Sequence, residues 1–220
     1  MRQNHRWDNA KSYARPAFIR EELKRLEYVF FEPDAHFLGL SEFRSFDTRS
    51  VRFNGIGVVG IDLMANPITV DLQTDVNRSG QAYSQDPDIN GKRLFNIREY
   101  TQGDVSADYT WVDFELKTPE VATGAVYLLG ELTNWRLSNE SRLLYDEARG
   151  TYTGKLLLKQ GYYNYYYGLK PSNRPEADAA YYEGSHFATN NIYDILVYYR
   201  PPGTRADLLI GYEEILFNRY

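Results

Sequence analysis

At 220 residues, with 43% hydrophobic and 25% charged content, the chain has enough apolar material for one large domain or two small ones. A net charge of -5 argues against nonspecific binding to nucleic acid or anionic lipid. The absence of cysteine excludes disulfides, thiolate metal sites and cysteine catalysis. Composition departs from the ordinary in its 20 tyrosines against 3 tryptophans, a bias that suits strands, where the ring packs and the hydroxyl reaches water. No run approaches the ~20 apolar residues of a membrane helix, so membrane insertion is not expected. The polar start Met1-Arg2-Gln3-Asn4-His5-Arg6-Trp7 is not a secretory signal, and it reads as the beginning of an excised fragment.

In chain order, Arg2 to Ala10 reads as a strand end and a turn, with Asp8-Asn9 as the turn signal. Phe18 to Leu26 mixes helical and extended signals, and Tyr28-Val29-Phe30-Phe31 predicts a strand stopped by Pro33. Ser41 to Asp47 and Val51-Arg52-Phe53 interleave aromatic and charged residues at period two, the mark of half-buried strands. Ile68 to Leu72 and Leu94 to Ile97 continue the pattern, separated by Asn, Asp, Gly and Pro clusters. The charged residues Glu42, Arg44, Asp47, Arg49 and Arg52 fit a buried or interfacial ion network or a solvated strand face, and their arginines also suit a protein interface.

Two short motifs are weighed against their surroundings. Gly55-Ile56-Gly57-Val58-Val59-Gly60 matches a dinucleotide fingerprint, which works only where the last glycine opens a helix. With Asn66-Pro67 close behind and no βαβ unit, it reads as a loosened turn, and no cofactor is expected. Asp86-Pro87-Asp88-Ile89-Asn90-Gly91 begins like a calcium loop, making Asp86, Asp88 and Asn90 ligand candidates. The twelfth position is Ile97 and not a bidentate glutamate, so a turn closing a hairpin is the competing reading.

Thr101 to Asp108 is short, polar and turn-rich, and places a domain boundary between 1–104 and 105–220. Beyond it, Tyr109 to Leu116, Val126 to Leu129, Tyr152 to Leu158, Tyr162 to Leu169 and Ile192 to Tyr199 alternate as strands. The expected fold is all-β: two immunoglobulin-like β-sandwiches, the first truncated on its N-terminal side. Arg205 to Tyr220 is too apolar to float free, and either adds a strand to a sheet or packs between domains.

The run Val126 to Trp135, followed by Leu158-Lys159-Gln160-Gly161, Tyr165-Tyr166-Tyr167 and Asn190-Asn191, resembles the early-set immunoglobulin-like domain of glycogen-binding modules. That resemblance implies an α-glucan surface of Trp135, Tyr166 and Asn191, with Tyr166 standing where the family has a basic residue.

A longer ordered set resembles the C-terminal part of the plug protein family of the type IX secretion system in Bacteroidota. It comprises Arg6 to Ala10, Glu42 to Asp47, Asp88 to Gly91, Leu158 to Tyr165, Glu183-Gly184-Ser185, Val197 to Arg200 and Asp207 to Gly211. This resemblance implies a periplasmic protein associated with the outer membrane, made with a signal peptide outside this fragment. Its expected partner is the outer-membrane translocon barrel, whose channel it closes.

Enzymatic activity is not expected. His5, His36 and His186 lie far apart without metal-ligand spacing, and no serine nucleophile elbow is present. The carboxylate pairs Glu21-Glu22 and Glu213-Glu214 read as solvated surface. The sequence thus predicts a non-enzymatic protein-interaction module, with a carbohydrate-binding module as the alternative.

Overall fold

The structure is a computed structural model that describes residues 1–32, 35–100 and 103–218. It is all-β, as the alternation predicts. The strands are β1 (Arg2–Gln3), β2 (Phe18–Arg20), β3 (Arg25–Glu27), β4 (Arg44–Asp47), β5 (Val58–Asp62), β6 (Thr69–Leu72), β7 (Asp75–Val76) and β8 (Arg93–Phe95). A short helical turn α1 (Gly103–Ser106) precedes β9 (Tyr109–Lys117), β10 (Ala125–Leu129), β11 (Arg142–Asp146), β12 (Thr151–Lys159) and β13 (Gly161–Lys170). The turn α2 (Ala180–Glu183) leads to β14 (Asn191–Tyr199) and β15 (Leu208–Phe217).

Two compact units result, a terminal unit of Met1–Gly39 with Ala188–Tyr220 and a middle unit of Leu40–Phe187. The division therefore does not fall at 104/105. Strands from both expected halves share one sheet, since β4 and β8 pair with β13 while β6 and β7 pair with β9. The boundary signal marks only a turn, and its residues 101–102 lie outside the described ones.

In the middle unit, the described strands follow the order β4-β13-β10-β11-β12-β9-β6-β5. The sheet turns back on itself, so that Phe46 and Tyr165 meet Phe114 across the core in edge-on contacts of 5.5 and 5.4 Å. Val112, Phe114 and Leu116 of β9 and Leu156 and Leu158 of β12 supply one wall, at the parity their sequences show. Val126, Leu128, Tyr163, Tyr165 and Tyr167 supply the other.

β13 is buried on both faces. Tyr163, Tyr165 and Tyr167 enter the main core, while Tyr166 on the opposite face joins a second cluster with Phe43 and Leu129. A central strand covered on both sides has no solvent face to alternate with, which explains the near-continuous tyrosine run.

Three local expectations are corrected. Tyr28 to Phe31 form no strand, because β2 and β3 are the two arms of a tight hairpin that ends at Glu27. Lys24, in left-handed conformation, closes the 3-10 turn Glu21–Leu23 between them. Pro33, expected to stop that strand, is outside the described residues. Val51 to Phe53 form bends, since Asp47 and Ser50 side chains capture the amides of Arg49 and Arg52 at 2.9 and 3.1 Å. Such local capture competes with a strand ladder. Asp86 to Gly91 does not close a hairpin, because β8 pairs with β13 and not with β7.

Gly60 lies inside β5 and opens no helix; of the turn expected over Gly55 to Gly60 only Gly55 to Gly57 precede the strand, and Val58 to Gly60 belong to it. In the terminal unit β1, β14 and β15 form one sheet, so the apolar tail adds a strand beside β14.

Phe46 is fully buried and touches Phe114, Tyr163 and Tyr165. Phe46→Ala is expected to cost about 3–5 kcal/mol through the cavity it opens. Urea denaturation checks this, with an unchanged slope indicating that the fold persists.

Candidate functional site

Glu183 ends α2 with no exposed surface. Its carboxylate accepts the Tyr167 amide at 2.9 Å, the Arg78 Nε at 2.6 Å and the Arg44 Nε at 3.1 Å. Arg44, on β4, also donates to Asp75 at 2.7 Å and to the Val76 carbonyl at 2.8 Å. The second oxygen of Asp75 accepts the hydroxyls of Tyr165 and Tyr167 at 2.6 and 2.9 Å. Arg78 reaches the Glu42 carbonyl, and the Glu42 carboxylate accepts the Tyr83 hydroxyl. One network thus links β4, β7, β13 and α2.

Burial alone would pull the Arg44 pKa down, but Glu183 and Asp75 outweigh it and hold the guanidinium charged. Burial, then Asp75, raises Tyr165 and Tyr167, which stay protonated donors. Every group here satisfies another, so the network is built to hold strands together.

This corrects the expectation that Glu42, Arg44, Asp47, Arg49 and Arg52 face a partner. Glu42 and Arg44 belong to the internal network. Asp47 is buried between Arg49 and Arg98 at 2.7 and 2.6 Å, and its pKa is lowered, the Arg49 hydrogen bonds prevailing over burial. Buried carboxylates require cations, and these arginines supply them. Among the five, Arg52 is exposed and Arg49 half-buried.

The proposed sugar trio is not assembled as an open surface. Gly130 approaches β13 so closely that a Cβ would lie 2.7 Å from the Asn164 carbonyl, and its φ is +154°. The 3-10 turn Glu131–Thr133 follows, and Asn134 and Trp135 take left-handed conformations. Trp135 packs edge-on against Phe43 at 6.0 Å, and Phe43 stacks on Tyr166 at 3.8 Å. Tyr166 is 1% exposed and its hydroxyl donates to the Ser41 carbonyl, so it cannot meet a ligand. Asn191 belongs to the terminal unit, where it accepts from Asn4 and donates to the Gly39 carbonyl, both at 2.9 Å. Trp135 itself is half-buried.

Of the calcium candidates Asp86, Asp88 and Asn90, Asp88 is turned to other work. Asp88 accepts the Phe43 amide at 2.5 Å and the Asn90 amide at 2.8 Å, and Asp86 is exposed. Asn164, buried in β13, accepts the amide of Ile89 at 2.6 Å and holds this loop to the sheet. The oxygens of Asp88 therefore close the loop instead of facing a shared ion.

A cluster the sequence spacing conceals lies in the terminal unit. Asp194, fully buried, accepts Arg2 at 2.6 Å, the Tyr212 hydroxyl at 2.9 Å and His5 Nδ1 at 3.0 Å. His5 Nε2 lies 3.6 Å from Glu214. These groups have metal-ligand chemistry, but Arg2 already supplies the positive charge at Asp194. No local motif finds this cluster, since 189 residues separate His5 from Asp194.

The middle unit also carries an open groove of about 890 Å³ across the outward face of β6, β9, β11 and β12. Within it Lys155 pairs with Asp113 at 3.1 Å and Arg149 with Glu115 at 2.5 Å, so much of its charge is internally neutralised. No helix of the described residues is long and apolar enough to cross a membrane.

The chain is similar to a solved hypothetical protein from Parabacteroides merdae ATCC 43184, at 34% identity and a TM-score of 0.90. The match covers 98% of this chain and 53% of that protein, so the chain spans about half of its length. No family model and no curated protein matches.

Two outcomes follow. Glu183→Gln leaves two buried guanidinium groups short of their counter-charge and is expected to cost about 3–5 kcal/mol in a denaturant melt. Burial pushes Asp88 up to about 6 from 3.8 despite the two amides it accepts. Its contribution is complete below the unfolded value and is lost as pH rises through about 6. Relative to Asp88→Asn, the natural chain should lose on the order of 1–2 kcal/mol between about pH 4 and about pH 7.5, measured by urea denaturation.

Proposed function

We propose that this chain is a non-enzymatic protein-interaction module of a type IX secretion plug protein. In this reading it docks in the periplasm on the outer-membrane translocon barrel and closes its channel. The ordered resemblance from Arg6 to Gly211 supports the family assignment. The observation that carries the interaction reading is the terminal unit's surface. Phe18, Ile19, Leu23, Leu26 and Phe31 are exposed there, as are Leu208, Leu209, Ile210 and Tyr212 on β15. Exposed apolar side chains in this number support an interaction site in the terminal unit. The charged residues that could have offered chemistry are spent inside their own units.

The carbohydrate reading is the weaker one because Tyr166 is sealed beneath Phe43 and Ser41. Incubating the tagged chain with detergent-solubilised outer membranes carrying the translocon tests the proposal. The barrel should be retained, equally by natural chain and by Trp135→Ala. No retention, together with saturable Trp fluorescence quenching by maltoheptaose that Trp135→Ala abolishes, would replace docking with sugar binding.

A further inference from the structure

The geometry points to a binding site for a zinc ion in the terminal unit. His5 Nε2 and the Glu214 carboxylate are its protein ligands, Asp194 orients the imidazole, and water completes the coordination. The site is independent of the docking reading.

The backbone brings these groups together from opposite ends of the chain. In the pairing of β1 with β14 and of β14 with β15, Arg2 stands opposite Asp194 and Asp194 opposite Glu214, one row across the sheet. Tyr212, two residues before Glu214, shares that face. Beyond β1, Asn4 and His5 both take left-handed conformations, with φ of +55° and +60°. The Asn4 side chain fixes this turn, accepting the Ile192 amide and donating to Asn191 Oδ1, both at 2.9 Å. The turn delivers the His5 ring to Asp194 and Glu214.

Burial alone would raise the Asp194 pKa, but hydrogen bonds from Arg2 and Tyr212 outweigh it and keep the carboxylate ionised. An ionised carboxylate only accepts, so the proton of a neutral His5 sits on Nδ1 and its lone pair on Nε2. Nε2 makes no hydrogen bond among the described residues and stands 3.6 Å from Glu214 Oε2. Two acceptors thus face each other at a separation longer than a hydrogen bond. A shared cation reconciles them. Zinc binds imidazole nitrogen and carboxylate oxygen at about 2.0–2.2 Å, so two donors of a tetrahedral ion stand about 3.4 Å apart. The 3.6 Å found here is close to that spacing. A metal-ligating histidine almost always donates its other N–H to a group such as a carboxylate, which is the part Asp194 plays. Arg2 already balances Asp194, so the charge left for the ion is that of Glu214. The His5 and Glu214 side chains are 27 and 38% exposed, which leaves the remaining positions open to water. Imidazole beside a carboxylate suits zinc, whereas magnesium and calcium prefer oxygen alone.

Calorimetric titration of the whole chain with zinc chloride tests the site at about pH 7.5, where a histidine of ordinary pKa is neutral. One zinc per chain should bind saturably, and ring NMR should show His5 Nε2 shifted while Nδ1 keeps its proton. His5→Gln and Glu214→Gln should each weaken binding at least about tenfold, and magnesium chloride should not replace zinc. His36→Gln and His186→Gln should leave the affinity unchanged. In both ligand variants Asp194 keeps Arg2 and Tyr212, and thermal melts without zinc verify folding. No saturable binding, binding undiminished in both ligand variants, or a protonated Nε2 that zinc does not displace would overturn the proposal.

Discussion

The middle unit depends on one buried carboxylate. Glu183 has no exposed surface, yet it holds two guanidinium groups and a main-chain amide of the central strand. Ionised groups in an apolar interior are tolerable only when each is paired and hydrogen-bonded. That condition fixes where Arg44, Arg78 and Asp75 must stand. Through Arg44 it fixes β4 against β13, and through the tyrosine hydroxyls it fixes which face of β13 enters the main core. Tyrosine serves here where phenylalanine would not, because its ring fills the core while its hydroxyl completes the network.

The terminal unit repeats the device on a smaller scale, with Asp194 binding Arg2, His5 and Tyr212 across β1, β14 and β15. Its surroundings differ. The middle unit covers both faces of its central strand, whereas the terminal unit leaves apolar side chains of β15 exposed on both.

Much of the fold was legible, because half-buried strands announce themselves by period-two alternation. β9, β10 and β12 lie where Tyr109 to Leu116, Val126 to Leu129 and Tyr152 to Leu158 place them. β11 escaped, since Arg142 to Asp146 alternates too briefly to stand out from its flanking turns. Domain organisation escaped for a different reason: pairing between β6 and β9 or between β4 and β13 is a long-range choice that no local pattern encodes. The site was less legible still. Trp135, Tyr166 and Asn191 match a sugar-binding pattern in order and spacing, but spacing does not report that Tyr166 faces inward. Glu42 to Arg52 looked like a surface because charge usually is surface. Only the positions of Asp75, Arg78 and Glu183, remote in sequence, reveal that Glu42 and Arg44 are spent inside.

A double-mutant cycle between Arg44→Met and Glu183→Gln, read by urea denaturation, tests this account most directly. If Glu183 organises the middle unit, the two losses will fall short of additive by about 2 kcal/mol or more, as expected for groups sharing one network. Additive losses within about 0.5 kcal/mol, or single losses no larger than those of exposed ion pairs, would contradict it.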